Sequence, residues 1–173
     1  SFLYFKYDAA KEKVAQHGGD RYVETPVQLV YAEGYYYLVA FNEKHDGFAT
    51  YRVDRMDRIR VLDEPAVRNE RIATFDAQKL ESRAFGMYSG SPVAATLLVS
   101  DEAMGAVIDR FGREVRSSLA GAGRARVHVT VMKSPVFFGW LAQFGDRVRV
   151  EKPRALADEY RDYLAAIAAS YDE

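Results

Sequence analysis

The chain has 173 residues, 49% of them hydrophobic, which is enough to bury the core of one ordinary domain or of two small ones. Its formal net charge of −1 excludes a polycation that binds duplex DNA through bulk electrostatics, so any nucleic-acid contact requires a local cluster of charge. The lack of cysteine excludes disulfides and thiolate chemistry, and no apolar run is long enough to span a membrane. These features favour a cytoplasmic protein without a membrane partner.

The first third of the chain predicts short β-strands joined by tight turns. Apolar and aromatic residues recur in short segments, and turns such as Gly18-Gly19-Asp20 separate them. Pro26 lacks a backbone donor, so the strand that contains it must lie at a sheet edge or begin there. Five such strands indicate a small curled barrel. They cover residues 2–7, 22–31, 35–41, 48–53 and 58–62.

Strands and helices alternate in the second half of the chain. After a charged linker with a short helix over residues 76–83, the pattern predicts an α+β sandwich, in which one sheet carries helices on one face. Ser134 suits the N-cap of a helix with Pro135 at its first position. The expected strands are residues 94–99, 126–132 and 147–150, and the expected helices are residues 100–112, 134–145 and 154–171. The last helix carries an apolar stripe that should pack in the core, formed by Leu156, Tyr160, Tyr163, Leu164 and Ile167.

No set of residues suits catalysis or metal binding. The histidines, His17, His45 and His128, are not spaced as metal ligands with one another or with a pair of carboxylates. Residues 121–124, Gly-Ala-Gly-Arg, lack the Lys-Ser/Thr of a phosphate-binding loop, and no Gly-x-Ser-x-Gly nucleophile motif occurs. A small-molecule hydrolase or transferase is therefore disfavoured, and we expect no enzymatic activity, no cofactor and no bound metal.

The residues that best suit ligand binding lie in two neighbouring predicted strands. Residues 35–41 and 51–56 combine aromatic side chains, which can stack on rings, with arginines, which grip phosphate or carboxylate groups. The alternative is that the aromatic side chains are half-buried packing residues and that the arginines, interleaved with aspartates, form a solvated surface. Strand alternation puts Arg52 and Arg55 on opposite faces, so a shared ligand requires the chain to turn after residue 53. The polar residues 54–57 suit a short helical turn there.

Two series of residues follow known orders and spacings. The first is Pro26, Leu29, Gly34, Tyr36-Tyr37-Leu38 and then Tyr51-Arg52-Val53-Asp54-Arg55-Met56. It resembles the signature of the WYL domain family, which has Trp where this chain has Tyr36 and Ile where it has Met56. Tyrosine keeps the ability to stack with a smaller ring, and Met for Ile is a tolerated core exchange. The second series is residues 137–145, 148–150, Pro153 and Tyr171, which resembles the WCX extension often found behind WYL domains.

The resemblance implies a fold and a domain organisation. It implies a small SH3/Sm-like five-stranded β-barrel over residues 1–64, a linker with a short helix over residues 65–92, and a ferredoxin-like α+β sandwich over residues 93–173. Proteins of this kind are bacterial transcription regulators with a winged helix-turn-helix ahead of the WYL domain. This sequence shows no helix-turn-helix, so we expect it to be part of a longer protein whose N-terminal portion contacts DNA.

The resemblance also implies a ligand and the residues that bind it. WYL domains are thought to sense nucleic acid or a nucleotide, so we expect an anionic effector such as a single-stranded nucleic acid or a nucleotide. Arg52 and Arg55 would bind phosphate or another anion, and Tyr37 would hydrogen-bond or stack. Lys6 and Arg21 join this set because the strand pattern places them on neighbouring strands. The WCX extension implies a homodimer. The alternative is an oligomerisation module without a ligand, in which the arginines make only internal salt bridges.

Overall fold

The computed structural model describes residues 1–32, 34–76 and 91–172, which form a mixed α+β protein with antiparallel sheets. The chain divides into two units, Ser1–Glu81 and Ser82–Glu173. The expected mixture of strands and helices is therefore confirmed. The helix expected over residues 76–83 lies, from residue 77 onwards, outside the described residues, and the exact domain boundaries stay predictions.

The described part of the first unit contains two three-stranded sheets. One has the strand order β2-β1-β6 and the other has the order β3-β4-β5. Short 3-10 turns occupy His17–Gly19 and Val53–Arg55, and a four-residue helix, α1, spans Glu70–Ala73. The strands are β1 Leu3–Tyr7, β2 Lys13–Ala15, β3 Thr25–Ala32, β4 Tyr35–Asn42, β5 Gly47–Arg52 and β6 Met56–Asp57.

The two faces of β4 are buried against different partners. On one face, Ala40 joins a small core that is mainly aromatic. Its rings include Phe2 and Tyr51, whose centroids lie 5.0 Å apart in an edge-to-face contact. On the other face, Phe41 is 2% exposed and contacts Phe48, with ring centroids 5.4 Å apart. Both faces of β4 are therefore covered over much of its length, which suits the nearly continuous apolar run in its sequence.

The prediction about Pro26 is confirmed, but one strand prediction is wrong. Pro26 lies in β3, which is an edge strand, beside a register irregularity where a missing N–H is tolerated. Residues 58–62 were expected to form the fifth strand, yet Ile59 and Val61 are 61% and 98% exposed. Strand β1 pairs instead with β6 on one side and with the short β2 on the other, and β2 was not expected. The alternating apolar residues therefore predicted a strand at a place where none of the described strands pairs with them. The described strands also show no closed barrel.

The second unit is a four-stranded antiparallel sheet with the strand order β10-β7-β9-β8. Strand β8 was not expected, because its polar sequence has no alternating apolar pattern. The predicted alternation of strands and helices is otherwise confirmed. The elements are β7 Ser91–Ser100, α2 Asp101–Phe111, β8 Ser117–Gly121, β9 Arg124–Lys133, α3 Pro135–Ala142, β10 Val148–Lys152 and α4 Arg154–Ala169.

The three helices described in the second unit, between residues 91 and 172, pack on the same face of its sheet. Alternate residues of the strands, such as Leu97 and Val127, meet residues of α2, α3 and α4 in one apolar core. The expected N-cap is confirmed, since the Ser134 hydroxyl accepts a hydrogen bond from the Phe137 backbone N–H at 3.2 Å. The helix ends at Ala142 rather than at the expected residue 145.

Only the first half of the α4 stripe packs as expected. Leu156 is 2% exposed, and Tyr160 and Tyr163 pack against the core. Leu164 and Ile167 are 39% and 41% exposed, so the prediction that they are core residues is wrong. The apolar pattern correctly reports that the helix is amphipathic, but it does not report how far along the helix the neighbouring elements extend.

Candidate anion-binding site

The candidate site lies where β5 ends and the chain turns. Arg52 is the last residue of β5 and stands opposite Tyr37 of β4 in the register. The 3-10 turn Val53–Arg55 follows immediately, so the expected helical turn is present, although residues 56–57, which were expected to belong to it, form β6. The turn breaks the strand alternation that would otherwise send Arg52 and Arg55 to opposite faces.

The Arg52 guanidinium is held from two directions. Its Nε and Nη2 atoms donate hydrogen bonds of 3.1 and 2.8 Å to the two carboxylate oxygens of Asp54. Its Cζ atom lies 3.4 Å from the centroid of the Tyr35 ring, which is a cation–π contact. The hydrogen bonds from Arg52 lower the pKa of Asp54, and those same bonds raise the pKa of Arg52. The guanidinium is therefore oriented while its side chain remains 21% exposed.

Arg55 interacts electrostatically with the same carboxylate. The positive charge of Arg55 makes a smaller contribution to the lowered pKa of Asp54, after the hydrogen bonds from Arg52. The Nε atom of Arg55 is buried and has no hydrogen-bond partner within the described residues. Asp57 accepts a hydrogen bond from the Arg58 backbone N–H at 2.7 Å. The turn thus pairs Arg52 with Asp54 and brings the charge of Arg55 within electrostatic reach of the same carboxylate.

The accessible ring beside Arg52 belongs to Tyr35 rather than to Tyr37. Tyr37 is 7% exposed, whereas Tyr35 is 43% exposed and stacks on the guanidinium. Burial leaves no open ring face of Tyr37 for a ligand to stack on, so its expected role through the hydroxyl stays a prediction. Tyr35 was missed by the sequence reasoning. The sequence could have indicated this role. Tyr35 shares a face of β4 with Tyr37, and it is the diagonal neighbour of Arg52, the residue that pairs with Tyr37.

Arg21 and Lys6 occupy different surroundings from Arg52. Arg21 donates from Nε to the Ser1 hydroxyl at 3.0 Å and from Nη2 to the Arg58 carbonyl at 2.5 Å, so its donors already serve the fold. Lys6 is exposed on β1 and shares its face with Tyr4, whose hydroxyl accepts a hydrogen bond from the Arg52 backbone N–H at 3.0 Å. The ligand roles of both residues stay predictions.

Comparison with known families assigns both units. Residues 1–61 match the family model of the WYL domain, and residues 91–168 match that of the WCX domain. The chain is a WYL domain followed by a WCX domain. The resemblance seen in the sequence is thereby confirmed for both halves of the chain.

Two solved structures are similar to the chain over 99% of its length. One is the proteasome accessory factor B/C (PafBC) of Arthrobacter aurescens, with 17% identity and a TM-score of 0.42, and this chain covers 25% of it. The other is a CRISPR Cas-related protein, with 13% identity and a TM-score of 0.31, and this chain covers 48% of it. The chain thus spans about half or less of either. Among curated proteins, none matches the chain.

A buried carboxylate ties together the strands beside the site in the WYL domain. Glu24 Oε1 accepts hydrogen bonds from the Tyr51 hydroxyl at 2.9 Å and from the Asn42 amide at 2.8 Å. Burial is the main cause that raises the pKa of Tyr51, and its hydrogen bond to Glu24 adds to the rise. Because Tyr51 directly precedes Arg52, this network fixes the end of β5 from which the Arg52 side chain projects.

The β3–β4 hairpin of the WYL domain exposes further aromatic surface. Tyr31 and Tyr36 are opposite each other in the register, and their ring centroids lie 5.0 Å apart. They are 62% and 60% exposed, as is Leu29 at 62% on the same face. These rings lie on the face of β4 opposite to Tyr35. Both faces of the hairpin therefore offer flat surfaces on which a base could stack.

The described part of the chain contains neither a cluster of metal-ligating side chains nor a membrane-spanning helix. Across residues 1–32, 34–76 and 91–172, no three side chains of His, Cys, Asp or Glu are grouped so that they could hold a metal ion. Over the same ranges, none of the helices combines the length and the apolar character that crossing a membrane requires.

Proposed function

We propose that this chain is the effector-sensing region of a bacterial transcription regulator and that its WYL domain binds an anionic effector through Arg52 and Arg55. The observation that carries the proposal is the Arg52 guanidinium, which stacks on the exposed Tyr35 ring and is oriented by Asp54. Arg55 adds a second positive charge at the same carboxylate. The effector class is a single-stranded nucleic acid or a nucleotide.

The chemistry of the site favours a phosphate that is joined to a ring. A guanidinium fork matches the oxygen geometry of phosphate and binds it by charge-assisted hydrogen bonds. The Asp54 carboxylate occupies part of that fork and is 49% exposed, so an incoming phosphate can compete for the donors. Tyr35, Tyr31 and Tyr36 provide ring faces for bases. Stacking of a base on an aromatic side chain contributes about 1–3 kcal/mol and tolerates every base.

The remaining members of the expected ligand-binding set have supporting roles in this proposal. Tyr37 contributes through its hydroxyl group, since its ring is buried beside Arg52. Lys6 contributes positive charge from the exposed surface of β1. Arg21 holds the segment around Arg58 in place through its hydrogen bond to the Arg58 carbonyl.

The wider organisation belongs to the same proposal. The WYL sheets are proposed to curl into an SH3/Sm-like barrel. The WCX unit is proposed to be ferredoxin-like, which the element order β-α-β-β-α-β and the strand order β10-β7-β9-β8 support. DNA binding is assigned to a helix-turn-helix that these residues do not include. We further expect a cytoplasmic location, no enzymatic activity and no cofactor.

The test is a binding titration of the full chain with fluorescently labelled single-stranded oligonucleotides, with unlabelled nucleotides as competitors. Arg52→Ala and Arg55→Ala should each weaken binding about tenfold, because each removes charged hydrogen bonds. The dependence of the affinity on salt should become shallower in both variants. Arg58→Ala is the matched control, because it removes an arginine nearby but retains the backbone carbonyl that Arg21 binds.

The proposal fails if Arg52→Ala binds as tightly as the wild type while its thermal midpoint shows that it is folded. It also fails if Arg58→Ala weakens binding to the same extent, since that would indicate a general effect of net charge.

A second candidate function is an oligomerisation module, and the end of α4 favours it. Leu164 and Ile167 are 39% and 41% exposed and lie near Tyr171, which is 83% exposed. Residues three apart share one face of a helix, so Leu164 and Ile167 form an apolar patch that a second copy could cover, and Tyr171 follows shortly after the helix ends. Sedimentation velocity with Leu164→Glu tests this. A wild-type homodimer that dissociates in the variant supports the module, and a wild-type monomer at every concentration excludes it.

A further inference from the structure

The WCX sheet has a second face, which the helices do not cover. The residues that alternate with its core positions point to this face, among them Thr96 and Leu98 of β7. The register aligns them with basic residues on both neighbouring strands. Leu98 stands between Arg126 of β9 and Arg149 of β10, and Thr96 stands between His128 and Lys152.

The same arrangement continues into a third row. Ser100 pairs with Arg124 of β9, and on its other side its backbone N–H donates to the Arg147 carbonyl at 2.9 Å. In each of the three rows a residue of β7 with an uncharged side chain stands between two residues with basic side chains, and in the third row the Ser100 hydroxyl donates a hydrogen bond to the Glu102 carboxylate. Residues two apart along a strand are separated by about 6.6 Å, and β9 and β10, the two strands that flank β7, lie about 9.6 Å apart. The face thus carries two parallel lines of basic residues, one on each side of β7.

The positive charge on this face exceeds the negative charge. The permanent cations are Arg124, Arg126, Arg147, Arg149 and Lys152. Against them stand two carboxylates. Glu151 is bound by Arg126 at 2.7 Å, and Glu102 at the start of α2 accepts a hydrogen bond from the Ser100 hydroxyl in the third row. The whole chain has a formal net charge of −1, so this face is a local concentration of positive charge rather than a reflection of the composition.

Several of these cations are available to a ligand. Arg126, Arg147, Arg149 and Lys152 are exposed, but Arg126 is paired with Glu151 and Arg147 Nε donates to the Phe144 carbonyl at 3.1 Å. The side chains of Arg149 and Lys152 make no ion pair or hydrogen bond within residues 1–32, 34–76 and 91–172. By contrast, the cations of α4, such as Arg161, are paired with neighbouring aspartates on their own helix.

We propose that the uncovered face of the WCX sheet binds the sugar-phosphate backbone of a single-stranded nucleic acid. The two lines of basic residues bind successive phosphates. The separation of phosphates in an extended nucleic-acid strand is similar to that of alternate residues along a β-strand. The neutral middle strand, with Leu98, accommodates the sugars. Binding of this kind is driven by charge and by release of counterions. The surface is distinct from the arginine site of the WYL domain and does not depend on it.

The composition of the face argues for phosphates over an acidic protein partner. Protein interfaces have an apolar, aromatic-rich centre, whereas the middle strand offers only Leu98 between Thr96 and Ser100. The three rows contain no Phe, Tyr or Trp, and their one ring is the imidazole of His128, so bases have little to stack on. The face should therefore bind single strands with little preference among bases, because phosphate contacts position a strand without reading its sequence.

The experiment uses the full chain carrying Arg52→Ala and Arg55→Ala, which removes the proposed WYL site, and labelled oligothymidylate as the probe. Binding should persist in this background. Adding Arg149→Ala and Lys152→Ala should weaken it about tenfold or more. The slope of log K against log salt should become shallower by about 0.7 for each phosphate that the protein no longer neutralises. Oligodeoxyadenylate should bind with similar affinity.

The matched control is Arg161→Ala, which removes an exposed arginine of the same domain away from the sheet face. The proposal is overturned if Arg161→Ala weakens binding as much as the Arg149 and Lys152 substitutions do, or if those two substitutions leave the salt slope unchanged. It is also overturned if polyglutamate displaces the oligonucleotide at an equal concentration of charge, because the face would then accept any polyanion. Failure of the WYL site alone would appear as unchanged binding in the Arg52 and Arg55 variants, which is a separate result.

Discussion

The two domains bury their apolar surface in different ways. The WCX core is built from aliphatic side chains and phenylalanines, with Leu97, Val127 and Leu141 all 0% exposed. The small core of the WYL domain is built around tyrosines, and the Tyr51 hydroxyl is bonded to Glu24. In the WCX domain the sheet separates the core from the uncovered face. In the WYL domain the tyrosine hydroxyls bond the segment that carries Arg52, so core and candidate site share residues.

The largest expected effect is in the WCX core. Leu141→Ala should lower the free energy of unfolding by about 2–5 kcal/mol, because it leaves a cavity in a filled site. Leu164→Ala is the matched control. Since Leu164 is 39% exposed, its replacement should cost less than about 0.5 kcal/mol. The measurement is urea unfolding followed by the fluorescence of Trp140, which contacts Phe111, Phe137 and Phe144 in this domain.

Equal destabilisation of the two variants would show that the end of α4 is buried in solution. If the destabilisation of Leu164→Ala depended on protein concentration, the exposed patch would be a subunit interface rather than free surface.

A smaller effect is expected for the tyrosine core of the WYL domain. Tyr51→Phe keeps the ring but removes the hydrogen bond to Glu24, so it should cost about 1–3 kcal/mol. Tyr31→Phe is the control, because Tyr31 is 62% exposed and its replacement should cost almost nothing. Circular dichroism during denaturant unfolding measures both. No difference between the two variants would mean that the buried network does not stabilise the domain.

The same hydroxyl makes an expected contribution to pH dependence. The pKa of Tyr51 is raised above its ordinary value of 10.0, so the folded state holds the proton more tightly than the unfolded state. The stabilisation is complete below pH 10.0 and declines as the pH rises above it. In Tyr51→Phe this part of the alkaline destabilisation should be missing from a series of unfolding curves. An unchanged alkaline destabilisation would assign it to other tyrosines, such as Tyr22 or Tyr160, whose pKa values are also raised by burial.

The fold was predictable where local chemistry decides it. The start of α3 followed from Ser134 and Pro135, because a hydroxyl cap and a proline at the first turn act within three residues. The strand expected over residues 58–62 was wrong, because alternation cannot show whether a neighbouring strand is present to pair with it. Strand β8 was missed for the opposite reason. Its own sequence has no strand pattern, and its pairing with β9 holds it in the extended conformation.

The candidate site was predictable in its charges but not in its surroundings. The spacing of Arg52 and Arg55 and the turn between them followed from the sequence. The choice between Tyr35 and Tyr37 did not, because both residues share one face of β4 and only the tertiary structure decides which one is covered. The sequence also left open whether the arginines form internal salt bridges, and Arg52 forms one with Asp54.

Helix capping allows a further comparison of the domains, with a smaller effect. Ser134→Ala removes the acceptor for the Phe137 N–H at the buried start of α3 and should cost about 1 kcal/mol. Asn69→Ala removes the equivalent bond to the Ile72 N–H in the four-residue helix α1 of the first unit. The second change should cost less, because α1 contains no buried residue and Ser134 is 4% exposed. Denaturant unfolding of both variants measures the difference, and a larger cost for Asn69→Ala would contradict the idea that burial sets the strength of the cap.

The smallest expected effect on stability, and the sharpest test of the arginine site, is Asp54→Asn. The pair with Arg52 is partly exposed, and such pairs contribute about 0–1 kcal/mol, so the free energy of unfolding should change little. Because the pKa of Asp54 is lowered, the carboxylate is charged throughout the neutral range, and any stabilisation it gives is lost only as the pH falls through that lowered value. Removing its charge should free the Arg52 fork and remove repulsion of a phosphate, so a single-stranded oligonucleotide should bind more tightly. Asp57→Asn is the matched control and should leave binding unchanged, since Asp57 accepts a hydrogen bond from the Arg58 backbone rather than from either arginine side chain. If Asp54→Asn weakens binding instead, the carboxylate positions Arg52 for its ligand and does not compete with it.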